Sequence, residues 1–282
     1  MISIGYAILL GIIQGLTEFL PVSSSAHLTL AGSLLHLIDP DHPEDWTAYI
    51  AIIQIGTIAA VIIYFFKDLL RMTHAALADA RRRNGDGAPG WGNDSRMLGN
   101  IIIGTLPVAV IGLAFKKIIE GMFTKEISTI ATSMIAVALL LLLAEFTGKR
   151  KRSEGEITWI DALVIGFAQS CALIPGSSRS GSTITAGLFL GLTREAAARF
   201  SFLLSIPAVL ASGFFEMYEA RHHMASLGIL PLAVSTIVSG IVGYATIAFL
   251  LGYLKTHSTK IFVVYRILLG SLLWILLLRN VL

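Results

Sequence analysis

Long apolar runs leave this chain few ways to fold. Six runs have the length of about 20 residues that crosses a hydrocarbon core as a helix, although Pro207, Gly240 and Gly243 interrupt two of them. They lie at about residues 46–66, 97–117, 126–146, 195–217, 228–254 and 261–280. Only 14% of the residues are charged, whereas soluble domains carry about 25%. The sequence therefore predicts an all-α polytopic membrane protein with six transmembrane helices.

Two further apolar regions are interrupted by polar residues. Residues 4–38 and 157–193 carry "LPVSSSAH" and "IPGSSRSGST" in their middle, and each apolar half has only about 12–17 residues. Segments of that length are typical of re-entrant elements. Irregular backbone at membrane depth is tolerated where protein or a cavity surrounds it. We predict that each region folds as a re-entrant helical hairpin.

The two hairpin regions resemble each other, which indicates an internal repeat. Gly11 and Gln14 match Gly166 and Gln169, "TLAG" at 29–32 echoes "ITAG" at 184–187, and a one-residue gap places Ser24 over Ser178. Three predicted spans follow each hairpin. Because three is odd, the second hairpin must enter from the opposite face, which gives an inverted-topology repeat. The predicted repeats are residues 1–150 (hairpin 4–38) and 151–282 (hairpin 157–193).

Charge predicts the orientation of the chain. Three loops, at 67–96, 148–156 and 255–260, carry twelve of the 21 Lys and Arg residues and fall on one side in this topology. The positive-inside rule places that side in the cytoplasm. Both termini and the mouth of the first hairpin are then expected to be extracytoplasmic. A net charge of +3 gives no support for a nucleic acid partner.

The first hairpin carries an acid, a serine and a histidine. Gln14 and Glu18 are four residues apart and share one helix face. Pro21 ends that half-helix, and Ser24 and His27 are spaced so that they could meet on the first turn of the next. Intramembrane carboxylates are usually functional, so Glu18 is a candidate site residue.

The second hairpin has the composition of an anion site. Gly176 and Gly181 allow backbone turns that point N–H groups inward, and the following half-helix presents its positive end. Arg179 adds a planar donor suited to phosphate, with Glu18 as its expected partner at rest. The candidate phosphate-binding residues are Gln14, Ser177, Ser178, Arg179, Ser180 and Thr183.

Other polar residues have simpler interpretations. Ser25, Ser33, Ser180 and Gln54 are typical of side chains that hydrogen-bond between membrane helices. Arg266, near the predicted cytoplasmic end of the last span, is expected to extend to the membrane surface. The residues alone leave open whether the pocket carries a phosphate, as in a lipid transporter or flippase, or cleaves one. An intramembrane serine protease would use Ser24 and His27 but has little use for Arg179.

Both motifs resemble the signatures of one family. "QGLTEFLPVSSSAH" and "PGSSRSGST" are similar to the two signatures of the bacterial undecaprenyl-diphosphate phosphatases, the integral-membrane type associated with bacitracin resistance. The resemblance runs over essentially the whole chain. It implies that Ser24, His27, Ser178, Arg179 and Thr183 occupy the family's functional positions, with Gln14 in a position that takes Glu or Gln.

The resemblance implies a reaction and its requirements. The expected activity is hydrolysis of undecaprenyl diphosphate to undecaprenyl phosphate and inorganic phosphate in the bacterial cytoplasmic (inner) membrane, which recycles the lipid carrier for peptidoglycan synthesis. A divalent cation, Mg²⁺ or Ca²⁺, is expected, with Glu18 and Gln14 as candidate ligands. Membrane lipids and a second copy of the chain, forming a homodimer, are the further expected partners.

The expected catalytic residues are Glu18, Ser24, His27 and Arg179. Arg179 would hold the terminal phosphate, and Ser24 would attack it with His27 as base and then acid. Direct attack by water, with His27 or Glu18 as base, is the alternative. Phosphoryl transfer depends mainly on positioning and electrostatics. These four residues would supply both, whether Ser24 or water attacks.

Overall fold

The computed structural model describes residues 2–39, 41–82, 91–115, 126–219 and 228–279. These residues form eleven α-helices and two short 3₁₀ turns, at Glu154–Glu156 and Cys171–Leu173. The helices are α1 Ile4–Phe19, α2 Ser24–Leu34, α3 Pro43–Tyr64, α4 Phe66–Arg82, α5 Asn93–Ala114, α6 Ile127–Thr147, α7 Trp159–Ser170, α8 Arg179–Phe189, α9 Arg194–Glu219, α10 Ile229–Leu254 and α11 Lys260–Leu278.

Six of these helices are long and apolar enough to cross a membrane. They are α3, α5, α6, α9, α10 and α11. The prediction of an all-helical chain with six spans is confirmed. The apolar helices α1 and α7 are shorter, and each is followed by a turn and a second short helix.

Matching turns connect the short helices. Ser23 caps α2 with φ 78°, and Ser178 caps α8 with φ 68°. Each hydroxyl accepts a hydrogen bond from the backbone N–H three residues later, at 3.4 Å in the first turn and 3.1 Å in the second. A left-handed backbone at a residue other than glycine costs on the order of 1 kcal/mol or more, so the surrounding contacts must hold both turns.

The N-caps correct the sequence alignment of the two hairpins. Because Ser23 is equivalent to Ser178, Ser24 is equivalent to Arg179 as the first residue of its helix. The one-residue gap that paired Ser24 with Ser178 is wrong. The offset that relates Gln14 to Gln169 holds through the turn, since the capping geometry, and not the run of serines, fixes where each helix begins.

Small residues let the short helices pack closely on the spans. Helix α1 lies on α10, and α7 lies on α5. A Cβ added at Gly15 would lie 2.8 Å from the Ser239 carbonyl oxygen, and one at Gly166 would lie 2.9 Å from the Gly104 carbonyl carbon. Such contacts are typical of membrane helices that associate through small side chains. They fix the depth at which each turn lies.

Ion pairs connect the basic loops to one another at one end of the bundle. Arg199 of α9 bonds to Glu154 of the linker at 2.7 Å and to Asp68 of α4 at 3.0 Å. At the end of α6, Glu145 pairs with Arg194 and accepts a hydrogen bond from Thr259, at 2.8 Å, in the loop before α11. The linker, α4, the start of α9 and the α10–α11 loop therefore share one face of the molecule.

Candidate active site

Glu18 is the centre of the polar interior. Its side chain is buried, and its carboxylate oxygens accept four hydrogen bonds. The donors are Gln14 Nε2 at 3.1 Å, Ser24 Oγ at 2.8 Å, Gln54 Nε2 at 3.2 Å and Arg179 Nη2 at 3.0 Å. These donors belong to α1, α2, α3 and α8, so one carboxylate connects both predicted hairpins to a span.

Arg179 forms the ion pair with Glu18 and keeps one donor free. Its side chain is 11% exposed. Nη1 donates to the Ser201 carbonyl oxygen at 3.3 Å, whereas the buried Nε has no hydrogen-bond partner among the described residues. A buried guanidinium without an anion would be strongly unfavourable, so this pair is what allows both charges to lie inside the protein.

A cavity of about 220 Å³ lies beside this pair. Residues from both predicted hairpins and from α3, α5 and α9 line it. Its polar lining residues are Glu18, Ser23, Ser24, Ser25, Gln54, Gln169, Ser178, Arg179 and Ser212. Helices α2 and α8 both begin there, at Ser24 and Arg179. Two positive helix ends and a guanidinium favour an anion in this cavity.

The structure does not bring Ser24 and His27 together. The Ser24 hydroxyl donates to Glu18, whereas the His27 ring nitrogens bond to the Ser23 carbonyl oxygen at 2.7 Å and to the Tyr265 hydroxyl at 2.5 Å. The His27 ring also stacks on Tyr265, with ring centroids 5.5 Å apart. His27 is not among the residues that line the cavity. In this arrangement Glu18, and not His27, is placed to take the proton of Ser24.

The serines and threonine of the second motif have different positions. Ser178 caps α8 and lines the cavity. Ser180 and Thr183 are fully buried, and their hydroxyls bond to the Leu20 carbonyl oxygen at 3.1 Å and to Ser201 Oγ at 2.6 Å. The Ser177 carbonyl oxygen accepts from Arg266 at 3.1 Å. Of these residues, only Ser178 lines the cavity.

Arg266 lies inside the protein and does not reach the membrane surface. The expectation that it extends to the surface is wrong, because its side chain is completely buried between the two turns. It donates to the carbonyl oxygens of Pro21 at 3.2 Å, Gly176 at 3.0 Å and Met134 at 3.1 Å, in addition to Ser177. Arg266 therefore ties the two turns to each other and to α6.

Sequence reasoning missed two glutamines of this site. The interpretation of Gln54 as an interhelical contact is confirmed, because it donates from α3 to Glu18 of α1, but the sequence did not indicate that it also lines the cavity. Gln169 was noticed only as the repeat partner of Gln14, and it also lines the cavity. Two features of the sequence could have indicated these residues. Gln54 is a polar side chain in an apolar run, and Gln169 is the repeat equivalent of Gln14.

Six helices long enough and apolar enough to cross a membrane, together with a cavity lined by a buried ion pair, define a polytopic membrane protein with a charged internal cavity. Residues 7–272 match the profile of the family described as bacitracin resistance protein BacA, and the chain belongs to this family.

Full-length relatives agree with this assignment. The chain is 54% identical to the undecaprenyl-diphosphatase of Syntrophobacter fumaroxidans, over 95% of each chain. It is 52% identical to the undecaprenyl-diphosphatase of Chloroherpeton thalassium, over 95% of this chain and 94% of the relative. It is also 49% identical to the protein of the same name from Chlorobaculum tepidum, over 94% and 93%.

Replacing Arg266 by Lys should destabilise the protein. Lysine keeps the charge but cannot reach carbonyl oxygens on both turns and α6, so buried acceptors would lose their donor. We expect a loss of about 3 kcal/mol or more in the free energy of unfolding, measured by denaturation in detergent. Arg279→Lys, at an exposed position at the opposite end of α11, is the control and should change stability by less than about 0.5 kcal/mol. Equal stability of the two variants would contradict the role assigned to Arg266.

Proposed function

We infer that this protein hydrolyses undecaprenyl diphosphate to undecaprenyl phosphate and inorganic phosphate. The observation that carries the inference is the buried chain of contacts from Ser24 through Glu18 to Arg179, at the start of two helices that face one cavity. These groups supply a hydroxyl, a base and a phosphate clamp. Relatives that share about half of the residues are named for this reaction.

In the first step the Ser24 oxygen attacks the terminal phosphorus. A Ser–O–P bond forms, the bridging P–O bond breaks, and undecaprenyl phosphate leaves. The Ser24 proton moves to Glu18, whose oxygen already accepts that hydrogen bond at 2.8 Å. A carboxylate is a weak base for a hydroxyl, so its contribution depends on proximity and on the anion-stabilising helix ends.

Arg179 and the start of α8 bind the phosphate that is transferred. The guanidinium exchanges part of its contact with Glu18 for phosphate oxygens and stabilises the charge that spreads over them in the transition state. Release of Glu18 from this ion pair also frees the carboxylate to act as a base. The ion pair therefore connects substrate binding to activation of Ser24.

Water completes the cycle by hydrolysing the phosphoserine. The water oxygen bonds to phosphorus, the Ser–O–P bond breaks, and Glu18 returns its proton to the Ser24 oxygen. Both protons of the water leave with inorganic phosphate as dihydrogen phosphate. His27 has a supporting role in this scheme, because its hydrogen bonds hold the Ser23 turn against Tyr265 of α11.

The oxygen donors next to Glu18 fit a divalent cation that is shared with the substrate. Gln14 Oε1 is buried and unpartnered on a side chain that bonds to Glu18. Among the described residues there is no group of three or more His, Cys, Asp or Glu side chains that could hold a metal ion. Glu18 and Gln14 would hold Mg²⁺ or Ca²⁺ together with diphosphate oxygens, as is usual for Mg²⁺. When bound, the cation would neutralise charge on the diphosphate.

The packing supports an inverted repeat of residues 1–150 and 151–282 with two re-entrant hairpins. Both ends of α7–α8 lie near the linker, where Arg152 bonds to Asp161 at 2.5 Å and to the Leu190 carbonyl oxygen at 3.0 Å. The ends of α1–α2 lie instead near the starts of α10 and α3, through Ser235 with Ala7 and through Trp46 with Gly32. The two hairpins thus enter from opposite ends of the bundle.

The shared face of the basic loops supports the orientation. With the linker, α4 and the α10–α11 loop in the bacterial cytoplasm, both termini and the mouth of the first hairpin are extracytoplasmic. The substrate would then be taken from the extracytoplasmic side of the cytoplasmic membrane. Higher expression should increase bacitracin resistance. Assembly as a homodimer is a further part of this proposal.

Ser24→Ala should abolish phosphate release from the detergent-solubilised protein. Removal of the nucleophile leaves no phosphoserine, so we expect a loss of about a thousandfold or more, measured as inorganic phosphate released from a polyprenyl diphosphate. Ser33→Ala, on the same helix α2, is the matched control and should retain full activity.

Rapid acid quench of the wild-type reaction should trap phosphate on Ser24. Full activity of Ser24→Ala, or phosphate mapped to His27, would contradict the serine mechanism. Because transport requires sealed vesicles, activity in detergent also separates hydrolysis from a function as a lipid transporter, which would show no phosphate release.

Gln14→Glu should lower the cation concentration needed for activity. A second carboxylate next to Glu18 strengthens binding of a hard cation, and we expect about a tenfold fall in the half-activating concentration of Mg²⁺, measured in metal-buffered assays. Gln14→Leu, which removes the oxygen, should shift the curve in the opposite direction. Identical activation curves for all three proteins would exclude this position as a cation ligand.

A further inference from the structure

Gln169 is a buried amide without a partner. Its side chain is only 1% exposed, and neither Nε2 nor Oε1 has a hydrogen-bond partner in the described residues. Leaving a buried polar group unpaired is unfavourable, and an amide left without bonds to both of its atoms is unusual in a native protein. Gln169 also lines the cavity that contains Glu18 and Arg179. A ligand in that cavity can supply the missing partners.

The repeat shows why Gln169 Nε2 has no partner among the described residues while Gln14 Nε2 has one. Gln14 Nε2 donates a hydrogen bond to Glu18, four residues later on the same hairpin. At the position equivalent to Glu18, the second hairpin has Leu173, which offers no acceptor. Leu173 also lines the cavity. The second hairpin thus has the amide of Gln169 but no carboxylate to accept its hydrogen bond.

A second unpartnered donor belongs to another residue that lines this cavity. Arg179 Nε is buried and unpartnered, although both Nη atoms of Arg179 donate within the protein. Either flip of the Gln169 amide leaves one donor and one acceptor without a partner. Nitrogen donors of residues that line a cavity where α8 begins are suited to a tetrahedral oxyanion, and an amide oxygen can accept from a protonated phosphate oxygen.

We propose that Gln169 is a phosphate-binding residue of this site, whose Nε2 donates to a non-bridging oxygen of the substrate diphosphate beside Arg179 Nε. The proposal rests on the inferred diphosphatase activity and adds a contact from α7 to it. Gln54 and Gln14 remain on the Glu18 side, so the two hairpins contribute differently. The first supplies the nucleophile and base, and the second supplies the phosphate donors.

Kinetics of Gln169→Leu test the proposal. Leucine is similar in size and removes both polar atoms, so kcat/KM for a polyprenyl diphosphate should fall by about 10- to 100-fold, the value of one or two lost hydrogen bonds to a charged group. Gln169→Glu should lose more, because a carboxylate repels phosphate. The matched control is Ser170→Ala on the same helix, whose hydroxyl bonds only to the Gly166 carbonyl oxygen, and it should keep wild-type kinetics. Wild-type kcat/KM in Gln169→Leu would overturn the proposal.

Stability separates a binding role from a structural one. Removal of an unpartnered buried amide should leave the melting temperature of Gln169→Leu equal to or above that of the wild type. A lower melting temperature together with lower activity would mean that the amide supports the fold, and would overturn the proposal. Inorganic pyrophosphate should raise the melting temperature of the wild type and of Ser170→Ala more than that of Gln169→Leu.

The pyrophosphate measurement also distinguishes this proposal from the proposed function. If the wild type releases no phosphate from polyprenyl diphosphates but pyrophosphate stabilises it through Gln169, the diphosphatase function fails and the phosphate contact stands. If the wild type is active and pyrophosphate stabilises Gln169→Leu equally, only the contact proposed here fails.

Discussion

The ion pair between Glu18 and Arg179 is the interaction on which the rest of the structure depends. Each residue lies on a helix shorter than the six that are long enough to cross a membrane, and each charge would be strongly unfavourable in an apolar interior alone. Together they neutralise each other at 3.0 Å and hold the starts of α2 and α8 on one cavity. Both interrupted regions carry polar motifs because each of the two charges needs a partner inside the protein. The first motif supplies Glu18 and the second supplies Arg179.

The contacts around the pair explain how a membrane interior can hold a reactive site. Arg266 donates hydrogen bonds to carbonyl oxygens of both turns. These bonds hold the turns in which Ser23 and Ser178 have a strained backbone. Ser24 lines the cavity, as do Gln169 and Arg179, which carry unpartnered donors. In the proposed mechanism, a phosphate that enters would compete with Glu18 for Arg179, and this exchange would couple binding to chemistry.

Much of the fold could be predicted from the sequence, because span length and apolarity are local properties. The pairing of Glu18 with Arg179 was also predictable, since few other partners exist for two intramembrane charges. The position of Arg266 was not, because a residue's depth along a span does not reveal that two distant turns meet around it. The expected contact of Ser24 with His27 failed for a similar reason. Their spacing allowed it, but the carboxylate and Tyr265 offered each a better partner.

A double-mutant cycle on the free energy of unfolding in detergent tests the central claim most directly. The cycle compares the wild type, Glu18→Gln, Arg179→Gln and the double variant. If the two hairpins are held together by this ion pair, each single change leaves an unpaired charge, and the coupling energy should be about 2 kcal/mol or more. A coupling energy below about 0.5 kcal/mol, as expected for residues that do not touch, would contradict the account.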